Sequence, residues 1–173
     1  LFQSLASRVL YSDRTLRPSA DVLARHMGGP DALWVHVISG DLPILLVRVV
    51  EENDLPLVRQ VLQAQEYWRL KGLSADVVIV NEHPAGYLNE MHAALVGLLE
   101  TGPWRAWKYR PGGVYLLRGD GMAETERLLL ASVARAVLSG DRGELANQLD
   151  RPSPEPQWRD ALTPSREAGT LLV

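Results

Sequence analysis

The feature that most constrains this chain is a cycle repeated three times: a short apolar run, a polar turn, then an amphipathic helical pattern. The first run, 42–50, is apolar on both faces, as a strand buried from both sides must be. Glu51-Glu52-Asn53-Asp54 follows, where Asn53 or Asp54 can cap a helix and Pro56 suits the first turn. That helix is read to about Lys71, with Leu57, Val58, Val61, Leu62, Ala64 and Trp68 as its apolar stripe and Gly72 as the stop. The second cycle is a strand over 75–80, the turn Asn81-Glu82-His83-Pro84, and a helix over 86–100 ended by Gly102-Pro103. The third is a strand over 113–118, the turn Gly119-Asp120-Gly121, and one helix over 122–139 stopped by Gly140. Asp141 can cap a last short helix to about Leu149.

Strands alternating with helices in this way specify an α/β fold: a small parallel sheet of three or four strands with helices on its faces. The fourth strand would come from 32–38, a stretch that equally suits an ordered loop. Two short helices are expected over 1–30, the second from Ser19 as cap to Met27, and they pack on the domain formed by 31–150. From 151 to 173, Pro152, Pro154, Pro156 and Pro164 mark a polar linker.

Composition sets the outer limits. With 173 residues, 46% of them hydrophobic and 23% charged, the chain suits one globular domain. A net charge of −3 is not the electrostatic footprint of a nucleic-acid binder, and no nucleic-acid partner is expected. The longest unbroken apolar stretch, 42–47, is far short of the roughly 18 residues of a membrane span, so this segment is expected to make no membrane contact itself. The absence of Cys removes disulfides and thiolate chemistry. Leu1 begins directly in a helical pattern, without an initiator Met or a signal-peptide architecture, which suggests a piece of a longer chain.

In a parallel sheet the strand C-termini open on one edge, where ligands bind. Here that edge would present Asn81, Glu82, His83, Arg118 and Asp120 as candidate ligand-binding residues, beside Glu51-Glu52-Asn53. His83 with Glu82 and Asp120 has the residue types for general acid–base work; the same polar residues at strand-to-helix junctions also cap helices. No catalytic residue is assigned. The Gly119-Asp120-Gly121 turn opens like a dinucleotide fingerprint, but Glu124 stands where the third glycine belongs, and the helical reading of 122–139 leaves no following strand. No Walker A sequence is present. His26, His36, His83 and His92 include no i, i+4 pair, so neither a metal nor a cofactor is expected. Ser39 lacks the flanking glycines of a nucleophile elbow and reads as a turn residue. Finally, Trp104, Trp107 and Tyr109, interleaved with Arg105, Lys108 and Arg110, could stack on sugar rings or fold back as a lid on the core.

Three stretches carry a resemblance to cyclic β-1,2-glucan synthases. They are Leu33-Trp34-Val35-His36-Val37-Ile38-Ser39-Gly40-Asp41-Leu42-Pro43-Ile44; Glu66-Tyr67-Trp68-Arg69-Leu70-Lys71 followed by Asp76-Val77-Val78-Ile79-Val80-Asn81-Glu82; and Ser132-Val133-Ala134-Arg135 with Leu145-Ala146-Asn147-Gln148-Leu149-Asp150-Arg151. Their order and spacing cover most of 1–151, with one departure: Val37 stands where the family pattern has Gly. The family implies a very large inner-membrane enzyme, with a glucosyltransferase region using UDP-glucose and a C-terminal region resembling cellobiose phosphorylases. The chain resembles a segment internal to the C-terminal half, and none of the family's catalytic motifs falls in it. The resemblance therefore implies a non-catalytic α/β domain, on the cytoplasmic side, whose partners are neighbouring domains of the same polypeptide. The alternatives are a β-1,2-glucan-binding module using the loop aromatics, and a small independent enzyme at the strand-end edge. A packing domain predicts an apolar outer patch; a binding module needs its rings exposed along a groove; an enzyme needs the edge side chains to converge.

Overall fold

The computed structural model describes residues 1–24, 31–83 and 88–151. Four parallel strands, β1 (Ile44–Val49), β2 (Asp76–Asn81), β3 (Val114–Arg118) and β4 (Ala136–Ser139), form one sheet in the order β3-β2-β1-β4. Strands β1 to β3 form where the apolar runs predict them, because each is buried on both faces. The helices are α1 (Phe2–Tyr11), α2 (Ala20–Ala24), α3 (Asp31–Trp34), α4 (Leu55–Leu70), α5 (Leu88–Thr101), α6 (Glu124–Val133) and α7 (Leu145–Leu149).

Two sequence readings are corrected here. The stretch 122–139 is not one helix: α6 ends at Val133, Ala134 turns extended, and 136–139 pairs with β1 as an edge strand. No glycine or proline breaks the helix; the partner edge of β1 does, drawing Leu45 to Arg48 into register with Ala136 to Ser139. The stretch 32–38 is no strand either, but α3 and the turn that ends it. The expected continuation of α2 to Met27, the Asn81–Pro84 turn beyond His83, and the linker from 152 lie outside the described residues.

The sheet separates two apolar layers. Val47, Val49, Val77 and Ile79 face α4, α5, α1 and α7, with Val58, Val61, Leu62, Trp68, Leu95 and Leu99 filling that side. Leu46, Val78, Val80, Tyr115 and Val137 face α6 and α3, meeting Leu129, Leu130, Leu33 and Ile38. Helices on both faces make this a doubly wound arrangement. The free edge of β4 is covered by a side chain rather than a strand: Gln148 accepts from Ser139 N at 3.1 Å and donates to Ser139 O at 2.9 Å.

The end of α3 explains the Val37 departure. Ile38 N donates to Leu33 O at 3.2 Å and Val37 N to Trp34 O at 3.0 Å, the paired bonds of a Schellman cap, with Leu33 and Ile38 buried as its apolar contact. The same bonds end α4 at Leu73 and Gly72. Gly72 takes the required left-handed backbone at φ 79°; Val37 holds φ 63° with a β-branched side chain. A left-handed non-glycine residue costs roughly 1–2 kcal/mol, partly offset by glycine's greater unfolded-state entropy. Val37→Gly is therefore expected to stabilise the fold by about 1 kcal/mol, raising Tm by roughly 2–4 °C in a chain of this size. A fall in Tm on scanning calorimetry would refute the account.

Asp76 opens β2 at the opposite end from the candidate site and is fully buried. One carboxylate oxygen accepts from Gly112 N at 2.7 Å; the other, Oδ2, has no hydrogen-bond partner. Burial pushes its pKa above the usual carboxylate range, against the pull of the Gly112 N–H, and together burial and Asp76 push the Tyr115 hydroxyl up to about 12. A carboxyl whose folded pKa lies above its unfolded value binds its proton more tightly in the native state. Its contribution to stability is therefore present at low pH and is lost as pH rises from 3.8 through the folded pKa. Asp76→Asn keeps the acceptor for Gly112 and removes the charge. Urea unfolding is expected to find the variant more stable than the parent at pH 8, with the gap closing toward pH 4; a gap independent of pH would refute this.

Candidate functional site

The order β3-β2-β1-β4 places a topological switch point between β1 and β4, because the chain winds outward from β1 to β3 and then crosses back. In open α/β sheets the crevice beyond the strand ends at such a point is where ligands bind. Here the exit of β1 is satisfied from within. The Asp54 carboxylate turns back under the start of α4 and accepts from Val50 N at 2.7 Å and Glu51 N at 2.8 Å, satisfying two donors that β1 leaves at its exit. Across the crevice lies Gly140, at the exit of β4. A Cβ there would sit 1.7 Å from Asp54 Oδ2, so the close approach depends on glycine. Asp54 itself is buried.

The sequence-predicted residues do line the strand-exit edge. Asn81 and Arg118 are paired positions at the ends of β2 and β3, and Gly119 N donates to Asn81 O at 2.8 Å. Their polar groups are engaged locally. Glu82 takes both Arg48 Nε, at 3.0 Å, and Arg48 Nη2, at 2.6 Å. Asp120 takes Arg118 Nη2 at 3.0 Å, and Asn81 Oδ1 accepts from His83 N at 3.2 Å in an Asx-type turn. The hydrogen bond it donates to Glu82 holds the Arg48 guanidinium pKa above its usual value, and the one received from Arg118 holds the Asp120 carboxyl below the usual range. Among the hydrogen bonds and ion pairs of the described residues, none joins Glu82 or Asp120 to His83. His92, from α5, reaches Asp120 and Arg118 electrostatically; burial, and then the Arg118 cation, lower its pKa. Sequence reasoning placed His92 on a helix and did not bring it to this edge; only the packing of α5 against β2 and β3 does so.

A groove of about 450 Å³ lies on the α6 side of this edge, with Leu46, Val80 and Val137 as its floor and Arg127 and Arg142 on its walls. Arg48 and Glu82 enter it already paired, and Arg127 donates to Gly119 O. The turn Gly119-Asp120-Gly121 is no dinucleotide site, though not for want of a following strand. A strand does follow α6, with Asp141 just past its end, but β3 and β4 occupy opposite edges of the sheet. A dinucleotide fingerprint requires neighbouring strands, and Glu124 still stands at its third glycine.

The loop aromatics separate. Trp104 is only 8% exposed, its indole Nε1 donating to Leu98 O at 2.7 Å. Trp107 is half-buried and carries the Arg69 guanidinium 4.4 Å above its ring centre. Tyr109 is 48% exposed and meets Tyr115 edge-on, ring centres 6.2 Å apart. The three rings do not form one exposed platform.

No family model matches the chain. It is similar to the cyclic beta-(1,2)-glucan synthase NdvB of Rhizobium meliloti (strain 1021), at 33% identity over 151 residues. That stretch is 87% of this chain and 5% of the relative. The chain resembles an internal segment of a cyclic β-(1,2)-glucan synthase. The match takes in most of this chain, so the similarity is not to one motif alone. Among the described residues of this synthase-like segment, no helix is long and apolar enough to cross a membrane.

Proposed function

We propose that this chain is a non-catalytic packing domain of a cyclic β-1,2-glucan synthase, held between carbohydrate-active modules of the same polypeptide on the cytoplasmic side of the inner membrane. The observation that carries the reading is the switch-point crevice occupied by the chain's own Asp54 carboxylate against Gly140. At the place where this fold class binds ligands, a carboxylate satisfies the exit of β1 while Gly140, at the exit of β4, packs against it. The polar groups at the exits of β2 and β3 point the same way, since Glu82 is held by Arg48 and Asp120 by Arg118. Similarity to a short stretch of a glucan synthase supplies the parent activity, which would then reside elsewhere in the polypeptide.

Titration of the segment with linear and cyclic β-1,2-glucan, followed by amide NMR shifts, tests the reading. No shifts at millimolar glucan are expected. Shifts confined to Trp107, Tyr109 and their neighbours would replace it with a glucan-binding module. Shifts at Asn81, Glu82, His83 and Asp120 would replace it with a strand-end site.

A further inference from the structure

The two edges of the sheet differ sharply in what they expose. Among the described residues of the connections that leave the strands (50–54, 82–83, 119–123 and 140–144), the exposed charged side chains are Glu51, Glu52, Asp120, Asp141 and Glu144. All are acidic, and none of those connections exposes a large apolar side chain. Arg118, the last residue of β3, adds a guanidinium already held by Asp120. The connections that enter the strands (33–43, 71–75, 102–113 and 134–135) expose Lys71, Arg110 and Arg135, with Arg105 held by Glu100, against the single carboxylate Asp41. They also expose Trp34 (62%), Val35 (73%), Val37 (69%) and Tyr109.

These residues share one surface. Asp76 N donates to Pro43 O and Arg135 N to Ile44 O, tying the entries of β2 and β4 to that of β1. Gly112, at the entry of β3, lies against Leu42 at the entry of β1. Four adjacent parallel strands span about 15 Å, so the apolar groups and their basic surround fit within one interface footprint. Ser12 accepts from Arg135 Nη1 at 2.9 Å, which sets the exposed Tyr11 beside the same edge. Val37 holds its side chain in water at the cost of a left-handed backbone, in a cap where glycine would be easier.

Resting on the packing-domain reading, we propose that the strand-entry edge, centred on Trp34, Val35 and Val37, is a docking surface for a neighbouring module of the same polypeptide that presents an apolar centre with a carboxylate rim. Aromatic and aliphatic groups rimmed by arginine and lysine match the anatomy of a protein interface. The relative's length leaves most of its chain to supply the cover, since the match spans 5% of it. A second copy of this segment fits less well: its acidic strand-exit edge would answer the charge but offers no exposed large apolar side chain to Trp34.

Photocrosslinking in the full-length synthase carrying this segment tests the proposal. p-Benzoylphenylalanine is placed at Trp34 in one protein and at Glu52, on the acidic edge, in another. The expected result is a crosslink from position 34 to a residue of the same polypeptide outside the segment, with none from position 52. Adding K71E and R110E should lower that yield about five-fold through like-charge repulsion. A crosslink from 52 alone, or from both positions, overturns the choice of edge and leaves the packing domain standing. Crosslinks from 34 to a second copy or to lipid overturn the proposed partner. No crosslink within the polypeptide from either position overturns the packing domain itself and the docking surface with it.

Discussion

Gly140→Ala is expected to destabilise the protein by about 2–4 kcal/mol, a large loss for a single methyl group at a position with no left-handed backbone requirement. The added Cβ would lie 1.7 Å from Asp54 Oδ2 and 1.9 Å from its Cγ, so the carboxylate must leave. Its departure strands the N–H groups of Val50 and Glu51, and charge-assisted bonds of that kind contribute roughly 1.5–3 kcal/mol each, before partial compensation by water. A double-mutant cycle separates this cause from general crowding. Asp54→Ala should itself be costly, and in that background Gly140→Ala should cost less than about 1 kcal/mol, because nothing remains to be displaced. Equal costs of Gly140→Ala in both backgrounds, read from urea unfolding, would show that Asp54 does not close the crevice.

The second large effect concerns how the N-terminal helix is held. Trp68, on the inner face of α4, is 2% exposed, and its Nε1 donates to Phe2 O at 2.9 Å. That bond is a second one onto a carbonyl in the first turn of α1 and ties the helix to α4, while Leu5 and Val9 pack in the same layer. Phe2 and Tyr67 meet beside it at a tilt of 47°, ring centres 6.1 Å apart. Trp68→Ala removes the largest fully buried side chain among the described residues and leaves a cavity under α1, for an expected loss of roughly 3–5 kcal/mol. Trp68→Phe keeps most of the volume and loses the hydrogen bond, for about 1 kcal/mol. Hydrogen exchange should show the α1 amides losing protection in the alanine variant before those of the sheet. Undiminished α1 protection would mean that the helix is anchored elsewhere, for instance by Arg8 and Leu149 O at the far end.

Several parts of this architecture were legible residue by residue. The strands β1, β2 and β3 declare themselves because a strand buried from both sides must be apolar at consecutive positions, and 44–49, 76–81 and 114–118 nearly are. Helix α4 shows its apolar stripe, its proline in the first turn and Gly72 at its end. The departure at Val37 was visible as a missing glycine, though not the Schellman cap that demands one. The candidate edge was legible in outline, since parallel strands fix which turns share it.

What the sequence by itself determined, then, is the α/β class, the alternation of elements and which turns meet at the strand exits, because these follow from burial periodicity and turn chemistry within a dozen residues. Tertiary structure alone decided the rest. Residues 136–139 carry a pattern that continues a helix, and they become a strand because the edge of β1 offers backbone partners there. That choice sets the order β3-β2-β1-β4 and creates the switch point, which places Asp54 against Gly140 although 86 positions separate them. It also decides exposure: Trp104 finds Leu98 O and turns inward, while Trp34, an equally apolar ring, is left in water at the entry edge. Local propensity cannot choose between such outcomes, because the partner that stabilises each one is supplied by a distant stretch of chain.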